Sequence, residues 1–235
     1  MDTLEIAGVA VDGVRLDFPS EKEIAALASA WDDDRNHQIC FLRLPGFNAA
    51  RTTSEYSSMI ASADLVLPVS RTLSGLAAQR SGSDRNGRSC VVMRNIPIGP
   101  RRREYLSFFG PPEPDEKPFH PYLPLKTLAL CLSALEQRRG SLFLVGGTMA
   151  TLQKAEMNVR STFPELRVVG RASGDYSGED EMSIMRALQK SAPDMIVVGS
   201  LVKDAELWIP RHMRYTRSGI YFYEAPIIEV LAGKR

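Results

Sequence analysis

The stretch "SLFLVGGTMATLQKAEMNVRSTFPELRVVG", Ser141–Gly170, decides the architecture. It opens on "SLFLV", a continuous apolar run with no polar face, which is the pattern of a strand buried on both sides. Two glycines follow, then a segment with helical periodicity from Thr148 to Phe163, then a second short apolar run, "LRVVG". Strand, helix and strand at these lengths form a parallel βαβ unit. Downstream the alternation continues. "SGEDEMSIMRALQKSA" opens with Ser177 and Asp180 at capping-box spacing and reads as a helix. "DMIVVGS" is a strand, "DAELWIPRHMRYT" a helix and "GIYFYEA" a further strand.

Upstream, "QICFLRL" reads as a strand, "ARTTSEYSSMIASA" as one helix, and "DLVLP" as the strand that it feeds. The stretch "IAGVAVDGVRL" (Ile6–Leu16) is a strand or hairpin around an Asp-Gly turn. Pro19 and Ser20 precede "EKEIAALASAW", a capped amphipathic helix. The fold class expected is α/β: a Rossmann-like, mainly parallel sheet with helices on both faces.

A chain of 235 residues suits one globular domain over 1–235. The texture changes between about 81 and 124, where "SGSDRNGRS", "IPIGPRRR" and "GPPEPDEKPFHPYLP" are rich in Gly, Pro and Arg. An irregular segment of that length is uncommon inside a domain and is either mobile or functional. With 29 basic against 28 acidic residues the net charge is +1, so nucleic acid is not an expected partner. Arg101–Arg103 form the one dense basic run, read as a solvated loop or a phosphate-binding patch. The three cysteines, Cys40, Cys90 and Cys131, include no CxxC pair, which points to reduced thiols in the cytoplasm. No leader pattern opens the sequence and no run approaches the length of a membrane span.

In parallel α/β sheets ligands gather beyond the carboxyl ends of the strands. Gly146, Gly147 and Thr148 occupy such a position, where backbone N–H groups at a helix start can cradle a phosphate, or a tight turn simply needs glycine. Gly174, Asp175 and Tyr176 follow the next strand; Asp175 could hold a hydroxyl, act as a base, or sit in a turn. Gly199 ends another strand, and Glu206 lies near a helix start, where the dipole alone favours acidic residues. Asp194 stands at the opposite edge and is read as structural. The histidines His37, His120 and His212 share no metal-ligand spacing and no local partner, so no metal or cofactor is expected. In "SADLVLPVSR" (Ser62–Arg71) the strand end presents only Val69 and Ser70.

At "SADLVLP", "FLVGGTMATLQKAEMNVRSTFPELRVVG", "YSGEDE", "APDMIVVGS", "ELWI" and "LAGKR" the chain resembles the WecG/TagA/CpsF glycosyltransferases. The resemblance implies transfer of an N-acetylhexosamine from a UDP-sugar to a lipid-linked acceptor in bacterial cell-envelope polysaccharide synthesis. It also shows where this chain departs. The family follows "SADLVLP" with Asp-Gly, whose aspartate is the proposed base; Val69 and Ser70 stand there. A family Thr-Leu-Asn strand end corresponds to Phe41-Leu42-Arg43, and Pro-Lys-Gln-Glu to Lys203-Asp204-Ala205-Glu206. A late Gly-x-Gly falls at Tyr223-Glu224-Ala225. The family usually continues past "LAGK" into a basic amphipathic tail, whereas this sequence ends at Arg235, so membrane binding by this chain itself is not expected.

Phe41, Arg43, Val69, Ala205 and Tyr223 thus replace groups that would furnish or open a site. The expected function is a non-catalytic binding or interaction module, its partner a UDP-sugar, a nucleotide or a protein. The alternative is an active transferase with Asp175 or Glu206 as substitute base.

Overall fold

A computed structural model describes residues 2–82, 91–98 and 119–234. Arg101–Arg103, Cys90 and most of the irregular segment lie outside the described residues. The chain divides into two compact units, one of Met1–Ala30 with Ile39–Leu130 and one of Trp31–Gln38 with Cys131–Arg235. The α/β class is realised: six strands enter parallel pairings, with helices between successive strands.

In the first unit, β1 (Asp2–Val11) and β2 (Val14–Asp17) form the expected hairpin. Asp12 (φ 48°) and Gly13 (φ 82°) both take positive φ, the requirement of a type I′ turn and the reason for the Asp-Gly pair. A strand that the sequence pattern hides, β5 (Val91–Ile98), pairs antiparallel with β1 from Asp2↔Ile98 to Val9↔Val91. The sheet order is β2-β1-β5. Pro97 and the Gly- and Arg-rich flanks obscure β5 in the sequence; at a sheet edge a proline is tolerated.

Ser20 and Glu23 cap α1 (Glu21–Ala30) reciprocally: the Ser20 N–H donates to Glu23 Oε2 at 2.6 Å, and the Glu23 N–H to Ser20 Oγ at 3.3 Å. β3 (Asn36–Leu42) and β4 (Leu65–Pro68) pair in parallel from Ile39↔Leu65 to Leu42↔Pro68. The single helix expected between them is two, α2 (Leu44–Thr52) and α3 (Ser54–Ser62). Thr53, extended at φ −118°, ψ 121°, ends one and starts the other. A β-branched pair, Thr52-Thr53, is a natural place for that break. α4 (Arg71–Arg80) follows β4.

The first unit also buries a carboxylate. Asp17 is wholly inaccessible and accepts from Arg15 Nε at 3.1 Å, Arg94 Nη1 at 3.1 Å and the Val66 N–H at 2.8 Å. Three donors on one buried carboxylate offset its desolvation and tie the hairpin to the start of β4.

α5 (Pro124–Gln137) begins on a proline, which costs nothing at the first helical position. In the second unit β6 (Ser141–Val145), β7 (Arg167–Ala172), β8 (Met195–Val198) and β9 (Gly219–Tyr223) run parallel in the order β9-β8-β6-β7. The helices are α6 (Met149–Thr162), α7 (Gly178–Ser191), α8 (Ala205–His212) and α9 (Ile227–Leu231). Phe143, Val145, Ile196, Val198 and Tyr221 form one core cluster with Leu188 of α7 and Trp208 of α8. The alternate residues Leu142, Leu144, Val197 and Phe222 are equally inaccessible, so both faces of these strands are covered. Asp194, as expected, is structural: its Oδ2 accepts from the Ser141 N–H at 2.7 Å and the Ser141 hydroxyl at 2.6 Å.

The histidines do have partners, contrary to the expectation from spacing: the ring of His120 lies 4.6 Å from that of Tyr122. His37 Nε2 lies 2.7 Å from Asp33 Oδ1, and its ring stacks on Trp31 at 4.6 Å. His212 Nε2 lies 3.1 Å from Glu181, and its ring stacks on Trp208. The His212 pairing joins α7 to α8 and could not be read from local sequence; that of His37, four residues from Asp33, could. Among the described residues no His, Cys, Asp and Glu group could hold a metal ion. No described helix is long and apolar enough to cross a membrane.

Candidate functional site

The carboxyl ends of β6, β7 and β8 meet through glycines. Gly146 takes φ 116°, and a Cβ there would lie 2.9 Å from the backbone of Gly199 and from the Ser200 carbonyl. A Cβ on Gly174 would lie 2.5 Å from the Ser200 carbonyl. Three turns therefore pack backbone against backbone, a contact that only glycine permits.

Their N–H groups are used in the same contact. Gly146 donates to the Ala172 carbonyl at 3.0 Å, Gly147 to Ser200 at 2.7 Å, Gly174 to Gly147 at 3.0 Å and Gly199 to Val145 at 2.8 Å. A phosphate cradle needs unspent donors, and these four are spent. α9 lies over the same turns: a Cβ on Gly199 would fall 2.4 Å from Ile228 Cγ1. Beside it the Ser200 hydroxyl donates to Glu229 Oε1 at 2.5 Å.

What stays open is the start of α6. Thr148 caps it, its hydroxyl accepting from the Thr151 N–H at 3.2 Å, and Thr148, Met149 and Ala150 are exposed. Lys234 Nζ donates to Thr151 Oγ1 at 3.1 Å. Lys234 thus stands beside the start of α6, where the Glu229 carboxylate also lies, its Oε1 3.6 Å from a Cβ on Gly147.

Tyr176, Ala205 and Tyr223 are brought together, all packed on the one core cluster with Val145, Val198 and Trp208. The Tyr176 hydroxyl accepts from Trp208 Nε1 at 2.6 Å and donates to Glu181 Oε1 at 3.3 Å. Burial, reinforced by the Glu181 charge, pushes this phenol up to about 12. Tyr176 is therefore a neutral, fixed link between α7 and α8. Asp175 and Glu206 are exposed, and among the described residues neither carboxylate has a hydrogen bond or ion pair. The linkage of Tyr176, Trp208, Glu181 and His212 was missed from sequence; its only signal was aromatic residues near both helix starts.

In the first unit Phe41 is buried within β3, opposite Leu67 in register, and Arg43 is exposed at the start of α2. Val69 continues the pairing beyond β4, its N–H donating to the Leu42 carbonyl at 3.0 Å. Ser70 caps α4: its hydroxyl accepts from the Leu73 N–H at 3.2 Å. The strand end that raised the question of a base thus holds an aliphatic side chain and an occupied hydroxyl.

Residues 124–235 match the model described as the Glycosyl transferase WecG/TagA/CpsF family. No curated protein matches the chain.

Proposed function

We propose that this chain, whose residues 124–235 belong to the WecG/TagA/CpsF glycosyl transferase family, is a non-catalytic binding module built on a glycosyltransferase fold. One observation carries the reading: beyond β4, where the resemblance puts the family's base, stand Val69 and a Ser70 occupied in capping α4. A general base must accept a proton within hydrogen-bond reach, and an isopropyl group has no atom to do so. Ala205 and Tyr223, partly buried against the core cluster, support the same reading, since neither an alanine methyl nor a phenol ring replaces the lost glutamine or glycine.

Family membership favours a nucleotide or a nucleotide-sugar as the ligand retained. The open start of α6, with Lys234 at Thr151, is the place in the second unit best suited to a diphosphate. The unpartnered carboxylates of Asp175 and Glu206 favour a second reading, an active transferase with a substitute base. Calorimetric titration with UDP and UDP-N-acetylhexosamines, followed by assay of UDP released in the presence of a polyprenyl-diphosphate-linked acceptor, separates the two. Binding heat with no UDP release accords with the proposal; no heat with either ligand contradicts a retained nucleotide site. UDP release from the nucleotide-sugar above the protein-free rate overturns it.

A further inference from the structure

A cleft of about 520 Å³ opens in the first unit between the β1–β2 turn and one face of α2 and α3, outside the family match. That volume lies in the range of small-molecule sites. Its apolar floor is Val14, Ala50 and Ile60; Arg15, Arg51 and Ser57 supply the polar wall. We propose that this cleft binds a small organic oxyanion, a phosphate monoester or carboxylate carrying a compact apolar group.

The two arginines differ in a way that suits such a ligand. Arg15 is fixed: its Nε donates to Asp17 Oδ2 at 3.1 Å and its Nη2 to the Ala63 carbonyl. A guanidinium has five N–H donors, so pinning two leaves others to be presented without further ordering cost. Arg51 is half-exposed, stacked over the Phe47 ring at 5.8 Å, and makes no hydrogen bond among the described residues. Its nearest carboxylate oxygen, on Asp12, is 3.9 Å away, beyond hydrogen-bond range.

Asp12 is the one acid on the cleft wall, and Arg80 Nη2 holds it at 3.0 Å from the other side. Behind Arg15 stands Arg94, shared with Asp17. Burial lowers the Arg15 guanidinium below its ordinary pKa although the charge and hydrogen bond of Asp17 oppose the shift, and the cation of Arg94 adds to it by less than Asp17 takes away. An anion in the cleft would add a second opposite charge to a guanidinium that burial holds at a cost. The apolar floor then selects an anion with a hydrophobic body over a bare one, since a bare oxyanion gains nothing from Val14 and Ile60.

The test uses the full chain, isotopically labelled, titrated with phenyl phosphate, inorganic phosphate and benzyl alcohol while amide shifts are followed by NMR. Phenyl phosphate is expected to move the amides of Gly13, Val14, Arg51 and Ser57 and to bind more tightly than inorganic phosphate, with benzyl alcohol leaving these amides unmoved. Arg51→Ala, at an exposed site, is expected to weaken phenyl phosphate by about tenfold, the worth of one charge-assisted hydrogen bond. Ala61→Phe, which fills the cleft from exposed α3, is expected to abolish the shifts while the remaining spectrum stays dispersed. Equal affinity for phenyl phosphate and inorganic phosphate, shifts confined to other residues, or an Arg51→Ala protein that binds unchanged would overturn the proposal.

Discussion

The N–H of Gly147 donates to the carbonyl of Ser200 at 2.7 Å, closing the turn after β6 onto the turn after β8. The glycine pair that looks like a phosphate cradle in the sequence is therefore part of the sheet's own closure. Whatever anion this edge attracts must approach the first turn of α6, beyond the glycines.

Gly146→Ala tests that closure. The positive φ of 116° and the 2.9 Å approach to the backbone of Gly199 leave no room for a methyl group. The backbone conformation alone is expected to cost about 1–3 kcal/mol. Gly75→Ala, in exposed α4 with nothing within 4 Å of its Cβ, is expected to gain up to about 1 kcal/mol instead. Urea unfolding of the two variants should give opposite signs.

Asp17→Asn is expected to destabilise the protein by about 3–5 kcal/mol. It leaves the cations of Arg15 and Arg94 facing a neutral amide in a wholly buried site. Denaturant midpoints for Asp17→Asn and for the exposed control Asp175→Asn should differ by that amount.

Alkaline stability reports on Tyr176. Burial raises the phenols of Tyr176 and Tyr221 to about 12, so the folded state holds their protons more tightly than the unfolded chain. That contribution is fully present below the ordinary tyrosine value near 10 and is lost as pH rises towards about 12. Tyr176→Phe should flatten the alkaline decline, since only Tyr221 then contributes. At neutral pH it should also cost about 1–3 kcal/mol by leaving the Trp208 N–H without its acceptor. Midpoints measured from pH 7 to 11 give both effects.

Acid stability carries the opposite sign. Burial of Asp33 opposes its charge, but the hydrogen bond and charge of His37, with Arg35, hold its carboxyl below the ordinary value. Its contribution is present above that ordinary value and is lost as pH falls through the folded one. Asp33→Asn is therefore expected to lower stability at neutral pH and to shrink its loss between pH 5 and 2.

The strands of the second unit were legible because each is a short apolar run bounded by turn residues, and burial on both faces leaves no other use for "SLFLV" or "MIVV". The Ser177–Asp180 box was legible because its interaction is local, and both of its hydrogen bonds are present. β5 was not: its pairing with β1 joins residues about ninety positions apart, and Pro97 argues against a strand when only neighbours are weighed. Nor could spacing show that the amides of Gly146 and Gly147 are spent, since their acceptors, Ala172 and Ser200, belong to other turns. The same holds for Asp17, a buried anion whose partner Arg94 lies 77 positions along the chain.

The measurement that bears most directly on the central claim is transfer of labelled N-acetylhexosamine from its UDP-sugar to a polyprenyl-diphosphate-linked acceptor. The unmodified chain is expected to form no product above the protein-free background. Loss of a general base alone removes about two to four powers of ten in rate. Val69→Asp alone is expected to restore little, because the new carboxylate follows the apolar β4. Transfer by the unmodified chain, abolished by Asp175→Ala or Glu206→Gln in protein that still folds, would contradict the account.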